Sequence, residues 1–301
     1  MPGGRHSIKY NMRHRRRGVA LVLTHNTLKV RPKKCLCVSD GVDSCRRLFS
    51  HLGFEVTIGR DLRTQSILQS LQLIAAMDHR ECDGLVVMVM THGTTSTEAN
   101  REVVWVPDDE INTEDIWRSF TPDLCPSLKG KPKLFFFQVC QGEGADEGVQ
   151  LQHQDNDEDT QADTRPGEPS REDFVIPPQG DMLLMHASCS GKFTIRSGNS
   201  EMRGSTFLHF LTQVLTRESR RKDLATMLQK VTGLVSTHFT TSASGGHKPD
   251  NNTHIPYMIS TLKGKIYFFA RDRRMFSQVF RAIARFVDIA SLPMTSFYKL
   301  L

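Results

Sequence analysis

Two apolar runs of the sequence each end in a side chain that can take part in nucleophilic catalysis. The run that begins at Lys133 ends in Cys140, and the run that begins at Gly84 ends shortly before His92. Runs this short are typical of core strands, and α/β folds display reactive groups where such strands end. A thiolate is the reactive form of cysteine, and a nearby imidazole can take up the thiol proton. The pair therefore indicates a cysteine nucleophile with a histidine base.

The composition indicates a globular protein with reduced thiols. Of the 301 residues, 38% are hydrophobic and 24% are charged, and no apolar stretch is long enough to span a bilayer or to form a signal-peptide core. Seven cysteines without paired spacing favour reduced thiols in the cytosol or nucleus over a disulfide framework, and we expect a cytoplasmic location. Because Cys35, Cys37 and Cys45 lack a second ligand pair at zinc spacing, we expect no metal site and no cofactor.

The net charge of +6 is unevenly distributed. Basic clusters occur at residues 13–17 and 29–34, and either a solvated protein face or a nucleic-acid-binding surface would have this composition. Because no aromatic residues are interleaved for base stacking, we expect a solvated face and no nucleic-acid partner.

Alternating strand and helix patterns predict an α/β fold with a mainly parallel sheet and helices on both faces. The strands are predicted at residues 19–23, 54–58, 84–90, 133–140, 182–185, 255–260 and 265–269. The helices are predicted at residues 44–52, 64–77, 205–216 and 224–240. In this order, both candidate catalytic residues lie at or just after the ends of strands in the same sheet.

Two segments depart from the alternation. Residues 151–175 are polar and acidic and cannot bury a core, so we expect a linker there. Residues 271–301 carry an apolar stripe from Phe276 to Ala290 with arginines beside it, which predicts a basic amphipathic helix. Such a helix either docks on the domain, which we expect, or contacts a membrane or a partner protein.

The two strand ends also resemble motifs of a known family. Gln138-Val-Cys140-Gln141-Gly142 resembles the active-site pentapeptide of the caspases, which is Gln-Ala-Cys-Arg-Gly in most members. Thr91-His92-Gly93 resembles the caspase histidine motif, roughly 50 residues upstream. Weaker matches extend the resemblance over about residues 10–270, among them Leu52-Gly-Phe-Glu-Val56, Gly130-Lys-Pro-Lys-Leu134, Gly204-Ser205 and Ile255-Pro256.

The resemblance implies both a fold and an activity. The fold would be the caspase-like three-layer arrangement, with a central, mostly parallel six-stranded sheet and helices on both faces. The activity would be that of a cysteine endopeptidase that cleaves proteins after aspartate, in apoptosis or a related proteolytic cascade. Cys140 would be the nucleophile and His92 the general acid and base. The backbone N–H groups of Gly93 and Cys140 would stabilise the oxyanion, and a glycine at position 93 would let the substrate approach the backbone closely.

The substrate pocket of the family also maps onto this sequence. Gln138 and Arg196 match the amide and one of the two arginines that bind the aspartate carboxylate in caspases. Phe193 and Ile195 match the walls of the neighbouring pocket, where Ile195 stands in place of a usual tryptophan. The resemblance therefore implies a carboxylate pocket beside an apolar pocket whose shape differs from that of most members.

Two positions depart from the family pattern. The slot of the other pocket arginine is Cys37, and Gln141 replaces the usual arginine of the pentapeptide. Either Arg31, Lys33 or Lys34 supplies the missing charge, or one guanidinium is absent. The departures favour an altered specificity or a weakly active member. The alternative function is a non-catalytic homologue that dimerises with active caspases and regulates them.

The resemblance further implies that the chain is a zymogen with five regions. These are a short prodomain at 1–9, a large-subunit region at 10–150, an acidic cleavable linker at 151–175, a small-subunit region at 176–270 and a C-terminal extension at 271–301. We expect an upstream caspase to cut after Asp159 and Asp163, since aspartates in a polar linker are accessible. The strand after Ile255 would pair with a second subunit, giving a homodimer of large and small subunits or a heterodimer with another caspase.

Overall fold

The described part of the chain forms one sheet between two layers of helices. The structure, a computed structural model, describes residues 9–25, 38–96, 101–140, 180–187, 205–242 and 255–270, together with Val287. In chain order the elements are β1 (Val19–Thr24), α1 (Val38–His51), β2 (Glu55–Arg60), α2 (Thr64–Ala75), β3 (Leu85–Ser96), β4 (Arg101–Trp105), β5 (Glu110–Asn112), α3 (Thr113–Arg118), β6 (Lys133–Cys140), β7 (Met182–His186), α4 (Thr206–Glu218), α5 (Leu224–Ser242) and β8 (Tyr257–Ser260).

The main path of the sheet has six strands in the order β2-β1-β3-β6-β7-β8. Every pair in this path is parallel except β7 with β8, which is antiparallel. This confirms the predicted α/β fold and its mostly parallel six-stranded sheet. The short strands β4 and β5 form an antiparallel ribbon on the outer half of β3. Since parallel strands run toward the same edge, β6 ends beside His92 of β3, and β3 continues to Ser96 along β4.

The sheet separates two apolar cores. Successive residues of β3 face opposite sides of the sheet. Met88 faces the core with α1, α4 and α5, whereas Val87 faces the core with α2 and α3. Strands buried on both faces read as continuous apolar runs, which is why β3 and β6 were recognisable from the sequence.

Several predicted elements differ in extent or are wrong. Helix α1 begins at Val38, six residues before the predicted start at Ser44. Gly41 interrupts the helical pattern there, but an added Cβ would lie 2.7 Å from the Met90 Cε, so the glycine allows the helix to pack closely on β3. The predicted strand at 265–269 is wrong, because only Lys265 forms a bridge, with Lys9. Burial of Ile266 and Phe268 in the core explains the alternation that suggested a strand.

Arg17 corrects the expectation that the cluster at 13–17 is a solvated face. Its side chain is 2% exposed, and its Nη1 donates to the Asp83 Oδ2 at 2.7 Å. Its Nε donates to the Leu52 carbonyl at 2.9 Å and its Nη2 to the Phe269 carbonyl at 2.8 Å. Arg17 therefore joins the segment before β1 to the end of α1 and to the segment that follows β8. Among the described helices, none is long and apolar enough to cross a bilayer.

Candidate active site

The register of β3 and β6 brings the two candidate catalytic residues side by side. His92 and Cys140 are direct partners in the parallel ladder between these strands. Neighbouring strands lie about 4.8 Å apart, so the backbones of the two residues are within side-chain reach of each other. Both residues lie at the carboxyl edge of the sheet, where the chain leaves the core.

The ribbon β4–β5 holds the histidine in place. The imidazole of His92 is half-buried, and its ring centroid lies 6.1 Å from that of Trp105 at an interplanar angle of 41°. The preceding Thr91 is buried, and its Oγ1 donates to the Trp105 carbonyl at 2.7 Å. The end of β4 thus fixes the backbone and one face of the ring at the strand end, a contribution that the sequence analysis missed.

Gly93 lies where no side chain can fit. An added Cβ would lie 2.3 Å from the carbonyl oxygen of Val103 and 2.5 Å from the Cγ1 of Val139. Close approach of a substrate to the backbone is one proposed reason for a glycine here. The structure gives a further reason, since β4 and β6 both press on this position.

The side chain of Gln138 is held by the start of α4. Gln138 is 6% exposed, and its Oε1 accepts a hydrogen bond from the Oγ of Ser205 at 2.6 Å. The same Oγ accepts from the backbone N–H of Leu208 at 3.1 Å and so caps the helix. With the amide oxygen engaged, the amide nitrogen of Gln138 keeps its two N–H groups for an acceptor, which is what a carboxylate supplies.

A second cluster, which sequence reasoning missed, joins the four strands β4, β6, β7 and β8. The ring of His186 on β7 stacks between Phe137 and Tyr257, with centroid distances of 4.8 and 4.6 Å. The hydroxyl of Tyr257 donates to the Glu102 Oε1 at 2.6 Å, and the Nδ1 of His186 lies 3.4 Å from the Glu102 Oε2. Burial lowers the pKa of His186, and the Glu102 carboxylate partly opposes this. No sequence signal marks the cluster, because its members are far apart along the chain.

The three cysteines with described side chains are buried and unreactive. Burial raises the pKa of Cys45 to about 12 and that of Cys82 to about 11, and it also raises the pKa of Cys125. Since the thiolate is the reactive form, none of these three competes as a nucleophile. The described residues also contain no group of three or more His, Cys, Asp and Glu side chains that could hold a metal ion.

The structure thus brings together part of the predicted site. His92, Gly93, Gln138 and the backbone of Cys140 lie on adjacent ends of β3 and β6. The remaining predicted residues lie outside the described part of the chain: Cys37 with Arg31, Lys33 and Lys34, then Gln141, Phe193, Ile195 and Arg196, and the cleavage positions Asp159 and Asp163.

Comparison with known proteins is consistent along the whole domain. Residues 17–267 match the family model described as Caspase domain. Caspase drICE of Drosophila melanogaster is 31% identical over 267 residues, which cover 88% of this chain and 74% of that protein. Caspase-1 of Spodoptera frugiperda is 30% identical over 269 residues, covering 89% and 84%. The crystal structure of that Caspase-1 matches with a TM-score of 0.72 at 29% identity and covers 90% of this chain and 99% of that one.

Proposed function

Because the chain belongs to the caspase family, a family of cysteine peptidases, we propose that it is an active endopeptidase that cleaves proteins after aspartate. The observation that carries this proposal is the pairing of His92 with Cys140 across the ladder of β3 and β6. A nucleophile and its proton acceptor on adjacent rigid strands need little reorganisation to react.

The reaction follows from this pair. The Cys140 thiolate attacks the scissile carbonyl carbon, and the N–H groups of Gly93 and Cys140 stabilise the oxyanion that forms. Imidazolium at His92 then protonates the leaving amine, and a thioester remains on the cysteine. Neutral His92 next takes a proton from water, which attacks the thioester and releases the carboxylic acid and the thiol. An oxyanion donor of this kind contributes about 10²–10³ in rate.

Selective binding of aspartate requires hydrogen-bond donors that replace the water molecules around its carboxylate. Gln138 offers two amide N–H groups because Ser205 already occupies its oxygen. Arg196 would supply a guanidinium, which binds a carboxylate through two parallel hydrogen bonds. Burying the carboxylate without such partners costs several kcal/mol, so the donors decide which substrates bind.

An assay of cysteine and histidine variants tests the proposal. A fluorogenic peptide that ends in aspartate is compared with the same peptide ending in asparagine, for wild type, Cys140→Ala and His92→Ala. We expect hydrolysis after aspartate only, with both variants at background. The matched control is Cys45→Ala, which removes a buried thiol that takes no part in the reaction. Equal rates for wild type and Cys140→Ala would refute the enzyme proposal.

The second candidate is a weakly active or non-catalytic homologue that regulates active caspases. Cys37 in the slot of a pocket arginine and Gln141 in the pentapeptide favour it. Loss of one charged hydrogen bond costs about 1.5–3 kcal/mol, or roughly 10- to 150-fold in turnover at low substrate. The Cys37→Arg variant tests the pocket: a large gain in aspartate-specific hydrolysis indicates a weakened pocket, and measurable but unchanged hydrolysis indicates that another cation fills it. Background hydrolysis by both forms, with an effect on a bound active caspase that persists in Cys140→Ala, favours the non-catalytic homologue.

The proposed protease also needs a partner and a processing step. Strand β8 lies at the edge of the described sheet, and Ile255 and Met258 beside it are 47% and 37% exposed. We propose that β8 pairs with a second subunit, in a homodimer or a heterodimer with another caspase.

We also propose cleavage after Asp159 and Asp163 in the 151–175 linker, which would separate the 10–150 and 176–270 regions in the cytoplasm during apoptosis. Sedimentation and mass spectrometry of wild type and Asp159→Asn/Asp163→Asn protein test both steps.

A further inference from the structure

An open groove of about 710 Å³ lies between α1 and α4 and shares no residue with the candidate active site. Its walls are the solvent-facing sides of the two helices, from Ser44 to His51 and from His209 to Arg217. Five of its lining residues are basic or can become so: Arg46, Arg47, His51, His209 and Arg217. The others are Ser, Thr, Gln and Leu, and no lining residue is acidic.

The positive charges in the groove are not neutralised by nearby carboxylates. Across the described ranges, Arg46 and Arg217 form no ion pair, and the Nη2 of Arg47 donates to the hydroxyl of Ser44 at 3.3 Å. The neighbouring carboxylate of Glu218 is already engaged by Lys222 and Lys230. Placing like charges together costs free energy, which an anion in the groove would recover.

The helix dipoles explain only part of this arrangement. Basic residues commonly stabilise the last turn of a helix, and the groove lies along the second half of α1 and along α4 from His209 to Arg217 in its last turn. Each helix end carries roughly half a negative charge, so two ends balance about one guanidinium. The two remaining guanidinium charges leave the groove positive.

The dimensions of the groove suit a short extended peptide. The α4 wall from His209 to Arg217 spans eight residue steps, which is about 12 Å at the helical rise of roughly 1.5 Å per residue. An extended chain covers this distance in about four residues, with alternate side chains roughly 6.6 Å apart. The sequence of this protein contains such a stretch in Asp155-Asn-Asp-Glu-Asp159.

We propose that the groove binds the acidic stretch at Asp155–Asp159 of a second copy of this chain. Carboxylates spaced along that stretch would pair with Arg46, Arg47 and Arg217. The proposed cleavage position Asp159 belongs to the same stretch, so the groove would engage one copy's linker on another copy's surface. Binding does not need the catalytic thiol, and the groove therefore adds to the proposed proteolysis without depending on it.

A binding assay on the full chain tests this inference. A fluorescent peptide with the sequence of residues 150–166 is titrated with Cys140→Ala protein, and its anisotropy is followed at low and at physiological salt. We expect saturable binding that weakens with salt. Combining Arg46→Gln, Arg47→Gln and Arg217→Gln should weaken it about tenfold, since each exposed ion pair contributes modestly. The matched control, Arg220→Gln with Arg221→Gln, removes two exposed arginines beside the groove and should change the affinity less than twofold.

Three results would overturn the proposal. One is the absence of saturable binding at low salt, and another is equal weakening by the groove variant and its control. The third is tighter groove-dependent binding of a single-stranded oligonucleotide, which would assign the surface to nucleic acid. Thermal unfolding of each variant establishes that the exposed substitutions keep the fold. Hydrolysis of the fluorogenic peptide by the groove variant in the Cys140 background reports separately on the proposed proteolysis.

Discussion

Replacing Ser205 by alanine tests the hydrogen bond that orients the candidate substrate-binding amide. The substitution removes the donor to Gln138 at 2.6 Å and the acceptor for the Leu208 N–H at 3.1 Å. Loss of the helix cap costs about 1 kcal/mol, and an unsatisfied buried acceptor costs about 1–3 kcal/mol. The free energy of unfolding should therefore fall by about 2–4 kcal/mol. Denaturant titration of the Cys140→Ala form, which lacks the proposed nucleophile, measures this change.

The Ser205→Gly variant separates the two effects. Glycine is a good capping residue, so the helix loses only a few tenths of a kcal/mol, while the bond to Gln138 is still lost. In the active form, we expect both variants to lower kcat/KM for an aspartyl peptide by at least about tenfold, because the freed amide no longer keeps its N–H groups toward the carboxylate. Ser205→Thr retains a hydroxyl and should stay within about threefold of wild type.

The reasoning fails if Ser205→Gly matches wild type in both stability and kcat/KM. It also fails if Ser205→Thr loses as much activity toward the aspartyl peptide as the glycine and alanine variants, because the threonine hydroxyl should keep the hydrogen bond to Gln138.

Three further predictions concern residues around the site. Gly93→Ala should lower the free energy of unfolding by about 1–3 kcal/mol, because the new Cβ would lie 2.3 Å from a carbonyl oxygen of β4, whereas Gly233→Ala in the open part of α5 should raise it by up to about 1 kcal/mol. Equal melting temperatures for these two variants would contradict the predicted steric clash at position 93. Burial lowers the pKa of His25 to about 4, so its contribution to stability is complete above pH ~6.5 and falls by up to about 1.4 kcal/mol per unit as the pH drops toward 4. In denaturant titrations between pH 6.5 and 5, the free energy of unfolding should fall less steeply with pH for His25→Gln than for wild type. Identical slopes would exclude this histidine as the cause of the pH dependence. Tyr257→Phe removes the hydrogen bond to the partly exposed Glu102 and should lower the free energy of unfolding by about 1–2 kcal/mol. Thermal unfolding measures this loss, and the control Tyr267→Phe should change the free energy little.

The elements that carry the candidate catalytic residues were predictable because their signal is local. Strands buried on both faces need continuous apolar runs, and β3 and β6 supply them. The end of the β6 run locates Cys140, whereas β3 continues past its apolar run and past His92 to Ser96. The register between the strands was not predictable from either run alone, because a shifted pairing would bury equally apolar residues.

The parts that were missed depend on contacts between distant segments. Short strands such as β4 have little apolar periodicity of their own. Strand β4 forms because the outer part of β3, from Gly93 to Ser96, is available for pairing. The Glu102, His186 and Tyr257 cluster unites residues from three parts of the chain, so no window of sequence contains it. In contrast, Ile266 and Phe268 alternate as in a strand but are buried by the helical core without a ladder, and a local pattern cannot distinguish the two.

The departures from the family pattern increase the importance of the Gln138 amide. If Cys37 leaves one guanidinium absent, Arg196 and Gln138 remain as the proposed donors to the substrate carboxylate. Two donors still favour aspartate over asparagine, because only the anion gains charge-assisted hydrogen bonds. The free-energy difference then depends on an amide whose orientation Ser205 determines. The hydroxyl that caps α4 therefore also takes part in substrate recognition. Ser205→Ala should lower both the stability of α4 and the selectivity for aspartate, whereas Ser205→Gly should lower the selectivity while largely keeping the cap.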